Sequence, residues 1–442
     1  MASRPADPPA SRSDRFSFGP IERQGNEARF TFVCSRHGKF TESVVFSSGE
    51  PVSEALLALL QVALGVSTYK AAAATTVVFP PLGQHGRAMA EALYTDGLAE
   101  FFVRSGLTYP PQTVFEGHVT EAQVFGTQSE SGQPIVAFGG GKDSYVAGRI
   151  VELATGSAPQ FASVYLADPV AEVLQKTAPS PLLLVRRSLD PKLLSLEDAF
   201  SGHVPITAIN ILTLTIEGYL TGSGPILFAN ERSADEPTFD VDGVVANHQF
   251  SKSSTFEALV RAAVTEAAPD APPTFSVLRP FSELWIGRAF ARIEEAFPRF
   301  TSCNRNFRLA GDADKRWCGD CAKCAFTSLI LAPFISAEQA QVIFGRIMLN
   351  VEGLLPVYEE LCGLSDHKPW DCVGTINECR AALALASRTP AFAETLAVRT
   401  IIPKLLSEVS EAELAKLAED ALAPMPRGAL PQELYDAALK LS

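Results

Sequence analysis

Six consecutive residues, Gly139-Gly140-Gly141-Lys142-Asp143-Ser144, follow the apolar run Ile135-Val136-Ala137-Phe138 and open a helical pattern carrying Val146, Ile150 and Leu153. Glycines let a backbone turn sharply and bring its N–H groups close to a ligand. A helix that follows directly aims unpaired N–H groups and a positive dipole end at the same point. Lys142 adds a cation and Ser144 a hydroxyl, so the string reads as a nest for a phosphate. It is not a Walker A loop, which has four residues between its first glycine and Gly-Lys-Ser/Thr, nor a dinucleotide fingerprint. A second chemical cluster is Cys303, Cys318, Cys321 and Cys324. Four thiolates at this spacing suit a closed, structural tetrahedral zinc site, although cysteines also ligate iron–sulfur clusters. The other cysteines, Cys34, Cys362, Cys372 and Cys379, are scattered and read as ordinary buried thiols.

Three polar sets stand near these motifs. Asn230-Glu231-Arg232 follows an apolar run, and Asn247-His248-Gln249-Phe250-Ser251-Lys252-Ser253 precedes a helix. The second is dense in hydrogen-bonding groups and reads as substrate recognition, with Asn247 a contact and His248 or Lys252 available for proton transfer. Its bland alternative is helix capping by Ser251 or Ser253. Arg279, Asn304, Arg305, Asn306, Arg308 and Arg316 gather around the cysteines and suggest a local anion pocket, against the alternative of a solvated face.

These residues need a frame to hold them. Apolar runs at 134–138, 161–166, 182–185, 226–229 and 275–278 alternate with helical patterns at 143–153, 169–176, 206–220, 253–267 and 282–296. That rhythm predicts α/β crossover units and a parallel sheet covered on both faces, with the site at the carboxyl ends of its strands. Residues 1–15 read as a disordered tail. Residues 16–125 read as an α+β N-terminal domain, with antiparallel strands over 16–46, a helix over 54–64 ended by Gly65, and a helical stretch over 87–104. The α/β core is expected over 126–335 and a helical C-terminal region over 336–442.

Composition narrows the class. The chain has 442 residues, 47% hydrophobic and 20% charged, with 37 Lys and Arg against 50 Asp and Glu, a net charge of −13. That balance argues against a sequence-general nucleic-acid binder. No apolar stretch reads as long enough to span a bilayer, because Gln61 interrupts the longest one. The N-terminus has no signal-peptide core, and the cysteine use fits a reducing compartment, so the expected location is cytoplasmic. Nothing in the sequence indicates an oligomeric state.

The loop resembles the signature Ser-Gly-Gly-Lys-Asp-Ser of the PP-loop ATP pyrophosphatases, with Gly139 where the family has serine. The resemblance implies ATP and Mg²⁺, cleavage between the α- and β-phosphates, and activation of a carboxylate as an adenylate. It places pyrophosphate on residues 140–144, with Gly139 a further ATP contact, and adenine near 164–168, with Arg186 or Arg187 as a further phosphate contact. The cysteine cluster resembles the zinc site of 7-cyano-7-deazaguanine synthase. Taken in order, GGGKDS, FANERSA, NHQFSKS and CNRNF followed by RWCGDCAKCAF resemble the MurL family of UDP-N-acetylmuramoyl-L-alanyl-L-glutamate epimerases. That resemblance implies a peptidoglycan-precursor enzyme whose small-molecule substrate is a UDP-MurNAc-dipeptide. Lys142, Asp143, His248 and Lys252 would then be catalytic, and Asn230, Glu231, Arg232, Asn247, Arg305 and Arg308 would contact substrate. Alternatives are another PP-loop adenylating enzyme, of the 7-cyano-7-deazaguanine synthase or tRNA-thiolating kind, and a non-catalytic nucleotide-binding regulator.

Overall fold

The computed structural model describes residues 11–121, 132–241, 244–303, 305, 316–365, 369, 371 and 373–441. Residues 1–10 of the expected tail, the candidate contacts Asn304, Asn306 and Arg308, and Cys372 lie outside them.

Three antiparallel strands come first: β1 (Arg15–Gln24), β2 (Glu27–Cys34) and β3 (Gly38–Val45). Phe30 and Phe32 are buried on one face of β2 and alternate with more polar positions, the period-two pattern of a covered sheet. Strand β1 is joined by its lead-in, because Ser13 is buried and Arg12 Nε donates to Ala73 O at 2.7 Å. Residues 12–15 of the expected tail are therefore part of the fold. Helix α1 (Glu54–Ala72) is capped by Ser53 and runs well past Gly65. Gly65 does not stop it. A Cβ there would lie 2.7 Å from both the Phe18 and Tyr94 side chains, so the glycine admits these rings. Helix α1 is long and apolar enough to cross a bilayer, yet it is a buried core helix whose Gln61 donates to Gly19 O and Thr31 O. There follow β4 (Thr76–Val78), α2 (Gln84–Tyr94), α3 (Ala99–Arg104) and β5 (Val114–Glu116).

The crossover region runs β6 (Ile135–Ala137), α4 (Lys142–Thr155), β7 (Gln160–Tyr165), α5 (Asp168–Thr177), β8 (Leu183–Ser188), α6 (Pro191–Leu194), α7 (Ile206–Thr221) and β9 (Ile226–Phe228). A small hairpin, β10 (Phe239–Val241) and β11 (Val244–Ala246), precedes α8 (Ser254–Ala267), β12 (Thr274–Ser276), α9 (Glu283–Phe290) and α10 (Ala322–Leu331). Helices α11 (Ala337–Phe344), α12 (Leu355–Leu361), α13 (Ile376–Ala386), α14 (Leu396–Glu408), α15 (Glu411–Leu422) and α16 (Gln432–Leu441) complete the chain.

Among the described residues the main sheet has ten strands in the order β12-β9-β6-β7-β8-β3-β2-β1-β4-β5. Strands β12, β9, β6, β7 and β8 are mutually parallel. From β6 the chain steps outward to β7 and β8, then returns to lay β9 and β12 on the other side. The order reverses between β6 and β9, and the glycine string leaves the carboxyl end of β6 at that point.

The N-terminal strands are not a separate unit. Strand β3 pairs antiparallel with β8, Val44 opposite Arg187, so one sheet runs through both regions. Its two faces carry separate cores. Ile135 and Phe228 pack under α1, α7 and α8, while Val136 and Leu227 pack under α4, α9, α10 and the C-terminal helices. The C-terminal region therefore shares a core with the phosphate-loop helix. Trp285 is fully buried there and stacks on Phe281 at 3.9 Å. Burying one such side chain is worth roughly 1.5–3 kcal/mol.

Candidate active site

Residues 139–144 run from the end of β6 through a turn at Gly140 into α4. Gly140 has φ +78°, a conformation L side chains resist, and its carbonyl accepts the Thr301 N–H at 2.9 Å. A Cβ on Gly141 would meet Ser302 Oγ at 2.9 Å, whereas one on Gly139 would meet nothing within 4 Å. Helix α4 begins at Gly141 with no side-chain cap, while α8 and α9 are capped by Ser253 and Ser282. The first N–H groups of α4 therefore receive no side-chain cap. The Ser144 hydroxyl is turned inward and donates to Gly141 O at 2.8 Å.

Lys142 is buried, and its ammonium contacts Asp143 Oδ1 at 2.5 Å and Glu283 Oε2. Burial opposes its charge, but the two carboxylates outweigh burial and hold it above the ordinary lysine range. Burial likewise pushes Asp143 up, and the ammoniums of Lys142, Lys323 and Lys252 prevail and bring it below its usual value. Glu283 behaves the other way. Burial, with Asp143 and Glu231 nearby, pushes it up to about 7 against the pull of Lys142. The C-terminal helices hold this residue in place: Glu378, of the α13 capping box, accepts the Glu283 N–H at 2.8 Å.

The cysteine cluster abuts the loop. The four sulfur atoms lie within 4.8 Å of one another, with Cys321–Cys324 at 3.4 Å and Cys318–Cys324 at 3.7 Å. Tetrahedral zinc with bonds of about 2.3 Å needs sulfur–sulfur edges of roughly 3.8 Å, so the donor set fits that ion. Cys303 ends the strip whose Thr301 binds Gly140 O, and Cys321 stands at the N-cap position of α10, whose Lys323 bears on Asp143. Phe326 of the same helix lies under the Lys142 and Lys323 ammoniums, 5.9 and 5.4 Å from its ring centre.

The strand-end segments divide between structure and site. Asn230 is buried and donates to Ser276 Oγ at 2.9 Å, joining β9 to β12. Glu231 is buried near Glu283. Arg232 donates to Ala423 O at 3.4 Å. The Asn247 amide bridges Ala234 O and the Gln249 N–H, which sets the turn carrying His248. The Lys252 ammonium donates to Gln249 Oε1 at 3.3 Å, and its charge reaches both Asp143 and His203. Arg279 ties these pieces together through Glu231 O and Glu257 Oε2.

Several expected contacts are corrected. Arg187 is not at the phosphate loop. Its position opposite Val44 turns it into the core, where it binds Glu42 Oε2 at 2.8 Å and Ser67 Oγ at 2.7 Å. Its neighbour Arg186 is half-exposed and lies 3.7 Å from Asp168 at the strand ends. Arg305 is exposed and paired with Asp320 at 2.7 Å. Arg316 donates to Phe297 O and Val342 O, bracing the cysteine strip rather than opening a pocket.

The segment before α8 holds a group that the sequence did not announce. His248 Nδ1 and His203 Nδ1 both approach Glu100 Oε2, the latter at 3.3 Å, while Arg104 holds Glu100 Oε1 at 3.0 Å. Burial and His248 push His203 down to about 4, with Lys70 and Lys252 adding to the shift and Glu100 opposing it. Burial opposes the charge of Glu100, but His248, His203 and Arg104 together hold it below the usual carboxylate range. A cleft of about 1110 Å³ lies elsewhere, lined among others by Gly19, Gln61 and Glu266.

Fold and site together define a doubly wound α/β protein with a glycine-rich loop at the switch point and a four-thiolate cluster braced against it. Family models for the MurL N-terminal domain and the MurL C-terminal domain match residues 7–277 and 299–416, and the chain belongs to the MurL family. It is 40% identical to the UDP-N-acetyl-alpha-D-muramoyl-L-alanyl-L-glutamate epimerase of Salinispora tropica over 88% of this chain and 89% of that protein. The epimerases of the same name from a Micromonospora species and from Xanthomonas oryzae pv. oryzae are 38% and 32% identical, over 88% and 81% of this chain and 91% and 80% of their own. No solved structure matches.

Proposed function

We propose that this chain inverts the terminal L-glutamate of UDP-MurNAc-L-Ala-L-Glu to D-glutamate in peptidoglycan precursor synthesis, using ATP to activate the α-carboxylate as an acyl-adenylate. Removing the α-proton beside a free carboxylate would place a second negative charge next to the first. Adenylation removes that charge and makes the C–H bond far more acidic. In this reading the carboxylate attacks the α-phosphate of ATP, and pyrophosphate leaves onto the N–H groups of residues 139–144 and the Lys142 ammonium. His248 takes the α-proton, the Lys252 ammonium returns one to the opposite face, and water releases AMP. General acid–base help of this kind contributes about 10²–10⁴-fold.

Mg²⁺ would be held at Asp143, whose carboxylate stays ionised, and would supply charge neutralisation on the phosphates. Zinc on Cys303, Cys318, Cys321 and Cys324 would brace both the strip under Gly140 and the start of α10. Arg186 remains a candidate phosphate contact, and Glu231 and Arg232 candidate substrate contacts.

The observation that carries this reading is the placement of Lys142 and Asp143 at the uncapped start of α4, on the switch point of the sheet. The epimerase names of the relatives supply the substrate class. A pyrophosphate assay tests it. Release should require ATP, Mg²⁺ and the UDP-MurNAc-dipeptide together. Release without the dipeptide, or none with it, would exclude the reading.

A further inference from the structure

The imidazole cluster joins three segments far apart in the chain. Glu100 comes from α3 in the N-terminal region, His203 from the approach to α7, and His248 from the turn before α8. The two histidines lie just before the helices that start at the carboxyl edge of the sheet, the edge where the phosphate loop opens. Lys252 links the two places, because its charge is felt by Asp143 on one side and His203 on the other.

One oxygen of Glu100 meets the Nδ1 atoms of both rings, whose centres are 4.7 Å apart. The other oxygen is taken by Arg104. Of the two contacts the one from His248 is a hydrogen bond, and a carboxylate oxygen accepts, so the His248 ring carries its hydrogen on Nδ1, which makes Nε2 the basic nitrogen of its neutral form. The same three atoms could ligate a divalent ion. The charges around them argue otherwise: Arg104 sits on Glu100, Lys70 donates to Gly202 O beside His203, and Lys252 is close enough to depress His203. Three cations around three candidate ligands suit a hydrogen-bonded carboxylate better than a metal.

Resting on the epimerase reading above, we propose that Glu100 is the positioning residue for proton transfer, holding the His248 ring so that its Nε2 faces the glutamyl α-carbon. In the step it serves, the α C–H bond breaks and its electron pair moves into the acyl-adenylate carbonyl to give the enolate. The proton goes to His248 Nε2, and the imidazolium that forms is stabilised by Glu100. The enolate then takes a proton from the Lys252 ammonium on the opposite face and the carbonyl re-forms. Solvent resets both residues. His203 stays neutral beside the pair, its Nδ1 3.3 Å from Glu100 Oε2. The N-terminal region therefore contributes to the chemistry as well as to the sheet.

The test separates the two half-reactions in the full chain with UDP-MurNAc-L-Ala-L-Glu, ATP and Mg²⁺ in D₂O. Glu100→Gln should slow deuterium entry at the α-carbon by about 100-fold while pyrophosphate release stays within about threefold of wild type. Glu100→Asp should recover part of the exchange. Nitrogen NMR of the wild-type histidines should show His248 protonated at Nδ1, a readout that does not depend on any variant folding. Exchange at the wild-type rate in Glu100→Gln, or exchange and pyrophosphate release falling in parallel, would overturn the proposal. So would a His248 ring protonated at Nε2, or one equivalent of divalent metal that is lost in His203→Gln. If wild-type protein releases no pyrophosphate, the epimerase reading fails on its own, and the NMR result still decides whether Glu100 sets the His248 tautomer.

Discussion

Two clusters of buried charge stand at the carboxyl edge of the same sheet and are built on opposite plans. At the phosphate loop, Lys142 lies between Asp143 and Glu283, and opposite charges keep the lysine ionised despite burial. At the imidazole cluster, cations crowd a histidine pair, and burial leaves His203 neutral. The first arrangement keeps a cation charged in the interior, and the second keeps an imidazole neutral there. Their supports differ as well: the C-terminal helices fix Glu283 through Glu378, whereas the N-terminal region supplies Glu100. The regions flanking the crossover core thus each support one of the two clusters.

The sharpest way to break this contrast is at Lys142. Lys142→Ala should abolish substrate-dependent pyrophosphate release, a loss of about 10³-fold or more. It should also destabilise the protein by about 3–5 kcal/mol, because Glu283 is left buried without its partner. The double variant Lys142→Met with Glu283→Gln should regain most of the melting temperature and none of the activity. Recovered activity would show that the ammonium is structural.

A smaller effect is expected at the cysteines. Cys324→Ser should lose bound zinc, measured by elemental analysis, and reduce pyrophosphate release by about 10–100-fold through the strip under Gly140 and Lys323 on α10. Full activity in a zinc-free variant would detach the cluster from the loop.

The imidazole side should reveal itself in the pH dependence of stability. Above about pH 6.5, His203 is neutral in folded and unfolded chains alike. Between there and about pH 4 the unfolded chain binds a proton that the folded chain excludes, so stability falls as the pH drops. The loss should reach up to about 3 kcal/mol by denaturant titration, and His203→Gln should flatten the curve in that window. An unchanged slope would mean that His203 titrates normally in the fold.

The smallest effects separate two adjacent glycines. Gly140→Ala forces a side chain into a left-handed conformation and should cost about 1–2 kcal/mol, read as a lower melting temperature. Gly139→Ser, where a Cβ meets open space, should leave stability unchanged.

How far the sequence could be read follows the range of the interactions. The glycine string, the cysteine spacing and the strand–helix alternation are local patterns, and the elements appear at those places within a few residues. Pairing across the sheet is not local. Arg187 at a strand end looks like a phosphate contact, and only its register against Val44 turns it toward Glu42. Glu283 reads as an ordinary first-turn acid after the Ser282 cap, and Glu100 as an i,i+4 partner of Arg104. Their roles depend on Lys142 and His248, which lie 141 and 148 residues away. The strands at 16–46 suggest a domain of their own because nothing in their composition reveals that β3 will find β8. Lys323, two residues past Cys321, is the nearest to legible, since a cysteine at the N-cap position fixes what the first turn of its helix presents.

The measurement closest to the central claim is incubation of the protein with ATP, Mg²⁺ and UDP-MurNAc-L-Ala-L-Glu in D₂O, following AMP and the glutamyl α-position together. An ATP-driven epimerase predicts deuterium at that carbon, accumulation of the D-glutamyl product, and AMP in proportion to it. AMP without α-deuterium would reduce the site to ligation or hydrolysis, and α-deuterium without AMP would contradict activation by adenylation.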